Sequence, residues 1–186
     1  MIHAMFDKKS ESGENSKNGE NGENGNNNKN GIIQCETIKI TKMTPEHIPQ
    51  IHAIETAVFD DPWSLAALAG ELNNPHAMYI VAEKSAEIVG YAGMWHVVNE
   101  GQIINIATAP QYRKNGVASL LLEHLIQLAT CHEMMGLTLE VRLSNIPAQK
   151  LYQKYGFQQE GIRKNYYAAT KTTPREDAII MWKYLI

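Results

Sequence analysis

The sequence predicts one mixed α/β domain, residues 32–186, preceded by a tail, residues 1–31, that is not part of it. Three observations carry this reading. After residue 31, stretches with apolar residues at helical spacing are interleaved with stretches of period two, the pattern of helices laid on one central sheet. About 155 residues remain there, enough for a substantial core. The tail has apolar side chains only at its start (Ile2, Ala4, Met5, Phe6) and then runs through Asn-, Gly-, Glu- and Lys-rich sequence. Such a segment buries too little to offset the entropy of ordering and is expected to be disordered.

Taken in order, Thr37 to Thr41 alternates through Ile38 and Ile40 and predicts a first strand. Thr44-Pro45-Glu46 is a helix start: a capping Thr, Pro at the first helical position and an acid in the first turn. Ile48, Ile51, Ile54 and Val58 continue it at helical spacing. Asp60 to Ser64 breaks that helix, Ser64 caps a second one through Leu72, and Asn73-Asn74-Pro75 ends it. Three strands are expected next: Ala77 to Glu83, Glu87 to Val97, with a bulge suggested by Gly90 and Gly93, and Gln102 to Thr108. A loop from Pro110 to Gly116 leads into a helix over Val117 to Cys131, with Leu121, Leu122, Leu125 and Leu128 on its apolar side. Leu137 to Val141 predicts a strand, Asn145 to Tyr155 a short helix, and two last strands run from Phe157 towards Tyr166 and from Asp177 to Tyr184. The order is βααβββαβαββ.

The formal net charge of −3 and the lack of a Lys/Arg block give no basis for general nucleic-acid affinity. Cys35 and Cys131 have no metal-type spacing and read as free thiols, and no metal site is expected. The start of the chain does not read as a secretory signal, and no apolar run approaches membrane length. A cytoplasmic protein without a membrane partner is expected, with a monomer favoured.

The most informative stretch joins the strand Ile103 to Thr108 to the helix that starts at Val117. Backbone N–H groups at a helix N-terminus lack partners within the helix, and the helix dipole favours an anion beside them. Gly116 lets the chain approach closely, Ala118 and Ser119 leave the first turn uncrowded, and Arg113 and Lys114 add positive charge. The element matches neither glycine-rich nucleotide motif, and by itself it fits plain chain reversal as well as a diphosphate.

In Leu137 to Arg142 the alternation turns Glu140 away from Leu139 and Val141, near the C-terminal end of its strand. A partly desolvated carboxylate there has a raised pKa and suits a base near neutral pH; a surface ion pair with Arg142 or Arg163 is the other reading. Asn145 and Pro147 open the next helix. Tyr152, about two turns on, either returns its hydroxyl towards Glu140 or is a core aromatic with a wet hydroxyl.

These segments together resemble the GNAT acetyltransferase superfamily, whose coenzyme loop follows the pattern [RQ]-x-x-G-x-[GA], filled here by Arg113, Gly116 and Ala118. Leu139 to Arg142, Ser144-Asn145, Leu151-Tyr152, Tyr155 to Phe157, Ile162 to Tyr167 and Glu176 to Met181 resemble its RimI-type branch, the ribosomal-protein alanine N-acetyltransferases; Asp61 to Ser64 is similar to that branch's F-P-W-S turn. The resemblance implies a mostly antiparallel mixed sheet flanked by helices, and acetyl-coenzyme A as cosubstrate. It implies an acceptor as well: the N-terminal alanine of the eighteenth small-subunit ribosomal protein.

Residue by residue, the resemblance implies that the amides of Lys114, Asn115, Gly116, Val117, Ala118 and Ser119, with Arg113, bind the pyrophosphate. Ile106, Ala107 and Thr108 pair with the pantetheine arm, and Asn145 touches the coenzyme. Glu140 is the base for the acceptor ammonium and Tyr152 the acid for the leaving thiolate. Tyr166 and Tyr167 lie in a loop over the peptide, Trp63 contacts substrate from its turn, and Glu100 faces the amine. An oxyanion donor is expected at the bulged end of the fourth strand, near Ala107 or Thr108. Two rivals remain open: the same fold acting on a small amine or lysine, and a coenzyme-binding protein without catalysis.

Overall fold

The computed structural model describes residues 3–4, 37–170 and 172–185. Seven strands form one sheet: β1 (Lys39–Lys42), β2 (Ala77–Lys84), β3 (Glu87–Val97), β4 (Glu100–Thr108), β5 (Gly136–Arg142), β6 (Gln158–Tyr167) and β7 (Glu176–Tyr184). Four helices cover it: α1 (Ile48–Val58), α2 (Leu65–Leu72), α3 (Val117–Cys131) and α4 (Ile146–Lys154). The element order is the expected βααβββαβαββ. Across the sheet the order is β1-β2-β3-β4-β5-β7-β6. Every pair is antiparallel except β4 with β5. That parallel pair is joined through α3, the crossover such a connection requires.

Local sequence explains most boundaries. Ser64 takes extended backbone and accepts from the amide of Ala67, so α2 begins where a capping hydroxyl stands. Asn145 does the same for α4 through Ala148, with Pro147 in the first turn. Along α3, Leu121, Leu122 and Leu125 are fully buried under the sheet, each stabilising by about 1.5–3 kcal/mol. Leu128 packs only partly buried at the margin of the same core.

Two cores lie on opposite faces of the sheet. One joins α3 and α4 to Leu139, Val141 and Tyr152; the other joins α1 and α2 to Tyr79, Tyr91 and Ala107. The bulge expected in the second strand falls at Val89, beside Gly90, where the β2 register skips a residue. A second skip leaves Ile104 of β4 unopposed between Gly93 and Met94. Gly93 is required there because a Cβ would stand 2.1 Å from the Tyr79 ring. This puts the β4 bulge three residues before the Ala107–Thr108 position expected for the oxyanion donor.

The feature that positions the site is a split. β4 and β5 pair only over Glu100–Gln102 with Gly136–Thr138 and then part. On its outer side β4 stays joined to β3 as far as Thr108, and β5 stays joined to β7 as far as Arg142. The expected disordered tail, residues 1–31, lies outside the described residues apart from His3–Ala4, a two-residue strand parallel to β4 at Asn105 and Ile106. Cys35 is likewise outside the described residues.

Candidate active site

One wall of the split is made by the loop after β4. Gly116 precedes α3 with φ +79°, the left-handed region, and no heavy atom lies within 4 Å of a Cβ built on it. Its glycine is therefore a matter of backbone conformation rather than of space. Lys114 is also left-handed, with φ 64°, which for a side-chain-bearing residue costs on the order of 1 kcal/mol. These two left-handed residues lead into α3, whose first backbone N–H groups have no partner within the helix. The loop opens on a hollow of about 200 Å³ lined by Thr108, Arg113, Lys114, Gly116, Ala118 and Ser119, with Pro147 and Leu151 of α4 opposite.

Thr108 Oγ1 and Arg113 Nε are buried without partners among the described residues. A hollow at a helix start, with cationic side chains and two orphaned polar atoms, fits an anionic ligand. Val117 also lines it, whereas Asn115 stands exposed on the loop, and Ile106 and Ala107 lie further down β4.

The far wall is β5 and α4. Glu140 is only 3 % exposed, and Oε1 meets Arg163 Nε at 3.1 Å while Oε2 has no partner among the described residues. Burial raises its pKa above the ordinary carboxylate range; the Arg163 guanidinium and the Gln102 side chain pull it partly back. Both sequence readings thus hold in part: Glu140 is desolvated, and it is ion-paired, to Arg163. Arg142 instead pairs with Glu176 at 3.2 Å.

Tyr152 is fully buried in the core with Leu139 and Val141, its ring 5.8 Å from that of Phe157. Burial raises its hydroxyl pKa, so it stays protonated. Because Glu140 alternates with Leu139 and Val141, it faces the other side of the sheet. Carboxylate and phenol therefore lie on opposite faces of the sheet. Tyr167 lies behind Glu140: its hydroxyl donates to the Glu140 backbone carbonyl at 3.1 Å, and burial, with Tyr152 nearby, pushes its pKa up. Asn145 takes the capping role at α4.

The α1–α2 side adds residues that the sequence reading does not single out. Glu55 is 1 % exposed, accepts from the Trp63 amide at 2.8 Å and from the Tyr91 hydroxyl, and burial pushes its pKa up to about 7. Asn105 Nδ2 donates to the Tyr91 oxygen at 3.1 Å, leaving Asn105 Oδ1 buried without a partner among the described residues. A buried polar chain thus runs from α1 to the split, on the face that Glu140 shares. Nothing local marks these residues, but a Glu amid the apolar side of α1 was a signal.

Half-buried Trp63 sits in the α1–α2 turn with its carbonyl 3.0 Å from His52 Nδ1. The turn is tied across the site: Asp60 Oδ2 accepts from Thr170 at 3.1 Å and also from Thr172. Two expectations need correction. Tyr166 and Tyr167 end strand β6 rather than lying in a loop, and Tyr167, 1 % exposed with Arg142 over its ring at 4.2 Å, is a strut behind Glu140. Tyr166 stays half-buried beside Arg163. Glu100 is exposed at the closed end of the split, paired with Gly136, four residues along the strands from the level of Glu140. Parallel register, which local sequence does not encode, decides this. No group of His, Cys, Asp or Glu among the described residues is arranged to hold a metal, and no described helix is long and apolar enough to cross a membrane.

Comparison with known proteins bears on the family and the fold. Residues 48–157 match the model of the Acetyltransferase (GNAT) family. A Bacillus subtilis protein, provisionally named a ribosomal protein bS18-alanine N-acetyltransferase, is 42% identical over 144 residues, covering 77% of this chain and 93% of its own. The crystal structure of the ribosomal-protein-S18-alanine N-acetyltransferase from Escherichia coli superposes with a TM-score of 0.74 at 32% identity, over 80% of this chain and 94% of that one. In fold alone, at 15% identity and a TM-score of 0.65, the chain matches an N-acetyltransferase of Thermoplasma acidophilum solved in complex with coenzyme A, over 80% of this chain and 99% of that one.

Proposed function

This chain belongs to the GNAT family of acetyltransferases, and from that premise we propose that it moves acetyl from acetyl-coenzyme A to the N-terminal α-amine of a protein. The acceptor is the alanine that begins the eighteenth small-subunit ribosomal protein, the substrate its relatives' names carry. One observation carries the reading: a buried carboxylate with one oxygen unpartnered among the described residues stands on β5 just beyond the point where β5 parts from β4.

A thioester is already activated, so the protein's tasks are to hold an unprotonated amine against it and to manage two protons. An α-amine titrates near 8, so deprotonating it at neutral pH costs only about 1–1.5 kcal/mol. Glu140, with its pKa raised and Oε2 unpartnered, accepts that proton on the α1–α2 face. Tyr152, kept neutral by burial, supplies a proton to the departing thiolate from the α4 face. The amides of Lys114 to Ser119, with Arg113, hold the pyrophosphate, which suits the hollow's orphaned donors. The turn at Trp63 and the residues around Tyr166, tied together through Asp60 and Thr170, border the acceptor peptide. Asn145 contacts the coenzyme from the cap of α4.

Intact-mass spectrometry of short peptides with acetyl-coenzyme A tests the proposal. An Ala-starting peptide should gain one acetyl group, and a lysine peptide with a blocked N-terminus should gain none. Equal turnover of the blocked peptide would replace the reading with acetylation of side-chain or small amines.

A further inference from the structure

The split leaves one run of backbone without a partner from the seven-stranded sheet. β4 is bonded to β3 on one side through Thr108, but to β5 only through Gln102. Past that point the edge facing β5 must find donors and acceptors elsewhere. The chain supplies them from its own start: His3 pairs with Asn105 and Ala4 with Ile106, in parallel, and the segment also touches β5. Running parallel, it follows β4 from the closed end of the split towards the loop before α3.

That course is the one a pantetheine arm has to take between pyrophosphate amides at Gly116 and an acetyl group near Glu140. Both would use the same backbone edge, and each N–H and C=O on it serves one extended neighbour at a time. We propose that the β4 edge at Asn105–Ile106 is a strand-binding site whose resident occupant is the chain's own N-terminal segment, and that this segment and the coenzyme's pantetheine arm exclude one another. The inference rests on the function proposed above.

Sequence and length are consistent with such an occupant. The first six residues carry every apolar side chain of the first thirty, if glycine is set aside. Residues 5 to 36 give a contour of roughly 100 Å at about 3.3 Å each, ample to bring the segment to the split. A pairing of two residues is weak enough for a cosubstrate to displace. It lowers apparent coenzyme affinity by the fraction of molecules in which the edge is taken.

The test uses the full chain carrying His3→Pro with Ala4→Pro, which removes the backbone N–H of each paired residue, whichever of them faces β4, and changes no residue of the folded body. A control carries Asn26→Pro with Asn27→Pro. Coenzyme A affinity is read by titration calorimetry, and steady-state kinetics by acetylation of an Ala-starting peptide. In the first variant the Kd for coenzyme A and the KM for acetyl-coenzyme A should both fall by about 3–10-fold, the factor that one or two backbone hydrogen bonds contribute. Its kcat should stay within about twofold, and the control should match the parent chain. Unchanged coenzyme affinity, in a chain that binds coenzyme, would overturn the exclusion and leave the function standing. A fall in peptide KM alone would overturn it too, by placing the segment in the acceptor half. If neither parent nor variant bound coenzyme A, the function would fail, and the exclusion with it.

Discussion

On the α3 side of the split the site is built mainly from backbone, and on the α1–α2 side from side chains. The first wall depends on two left-handed residues, Lys114 and Gly116, and on the free amides of a helix start. Its shape follows from a loop that one short stretch of sequence specifies. The second depends on Glu140, Arg163, Glu55, Tyr91 and Asn105, drawn from α1 and four different strands and held by burial and hydrogen bonds. A backbone site tolerates many side-chain changes and fails when its dihedrals change. A side-chain site fails one group at a time, and each failure has a pH signature.

Tyr152→Phe is the largest expected departure from this contrast, because it is the one side chain on the α3–α4 face to which the chemistry assigns a proton. Steady-state kinetics should show kcat down by about 10²-fold, with coenzyme affinity within twofold of the parent chain. Retention of kcat would make that face purely a backbone binding wall.

Gly116→Val tests the backbone wall itself. A β-branched residue at φ +79° is strained by about 1–3 kcal/mol, so KM for acetyl-coenzyme A should rise by about tenfold while the peptide KM holds. If both rise together, the two walls are not separable. The strain should also appear as a lower midpoint in denaturant unfolding.

Arg163→Ala is the smallest and the most specific. The guanidinium, half exposed, favours the ionised form of Glu140. Its removal therefore raises the Glu140 pKa further, and the acid limb of the pH profile of kcat/KM should move to higher pH. Activity on the acid side should drop by a few-fold and recover on the alkaline side, where Glu140 is ionised in both proteins. A uniform loss at all pH values would make Arg163 a structural support.

The same contrast explains what was legible in the sequence. Local signals sufficed for α2, α3, the tight turn before α3 and the turning of Glu140 away from Leu139 and Val141, because a cap, a glycine and an alternation act over a few residues. They did not suffice for the Glu55–Tyr91–Asn105 chain, whose members are brought together only by sheet register and helix packing. The resemblance, for its part, misplaces Glu100, since where β4 and β5 part is fixed by pairing over Gly136–Thr138 and not by residues near Glu100. The resemblance implies Tyr166 and Tyr167 together as peptide contacts; the strand they end leaves Tyr166 half-buried and buries Tyr167 behind Glu140.

The account turns on Glu140 being the group that takes the acceptor's proton, and the direct measurement is kcat/KM of Glu140→Gln against pH with an Ala-starting peptide, beside coenzyme A titration. The amide should leave coenzyme affinity within twofold, lower kcat/KM at neutral pH by about 10²-fold or more, and abolish the acid limb. A Gln variant that turns over within about fivefold of the parent, with the same acid limb, would contradict it.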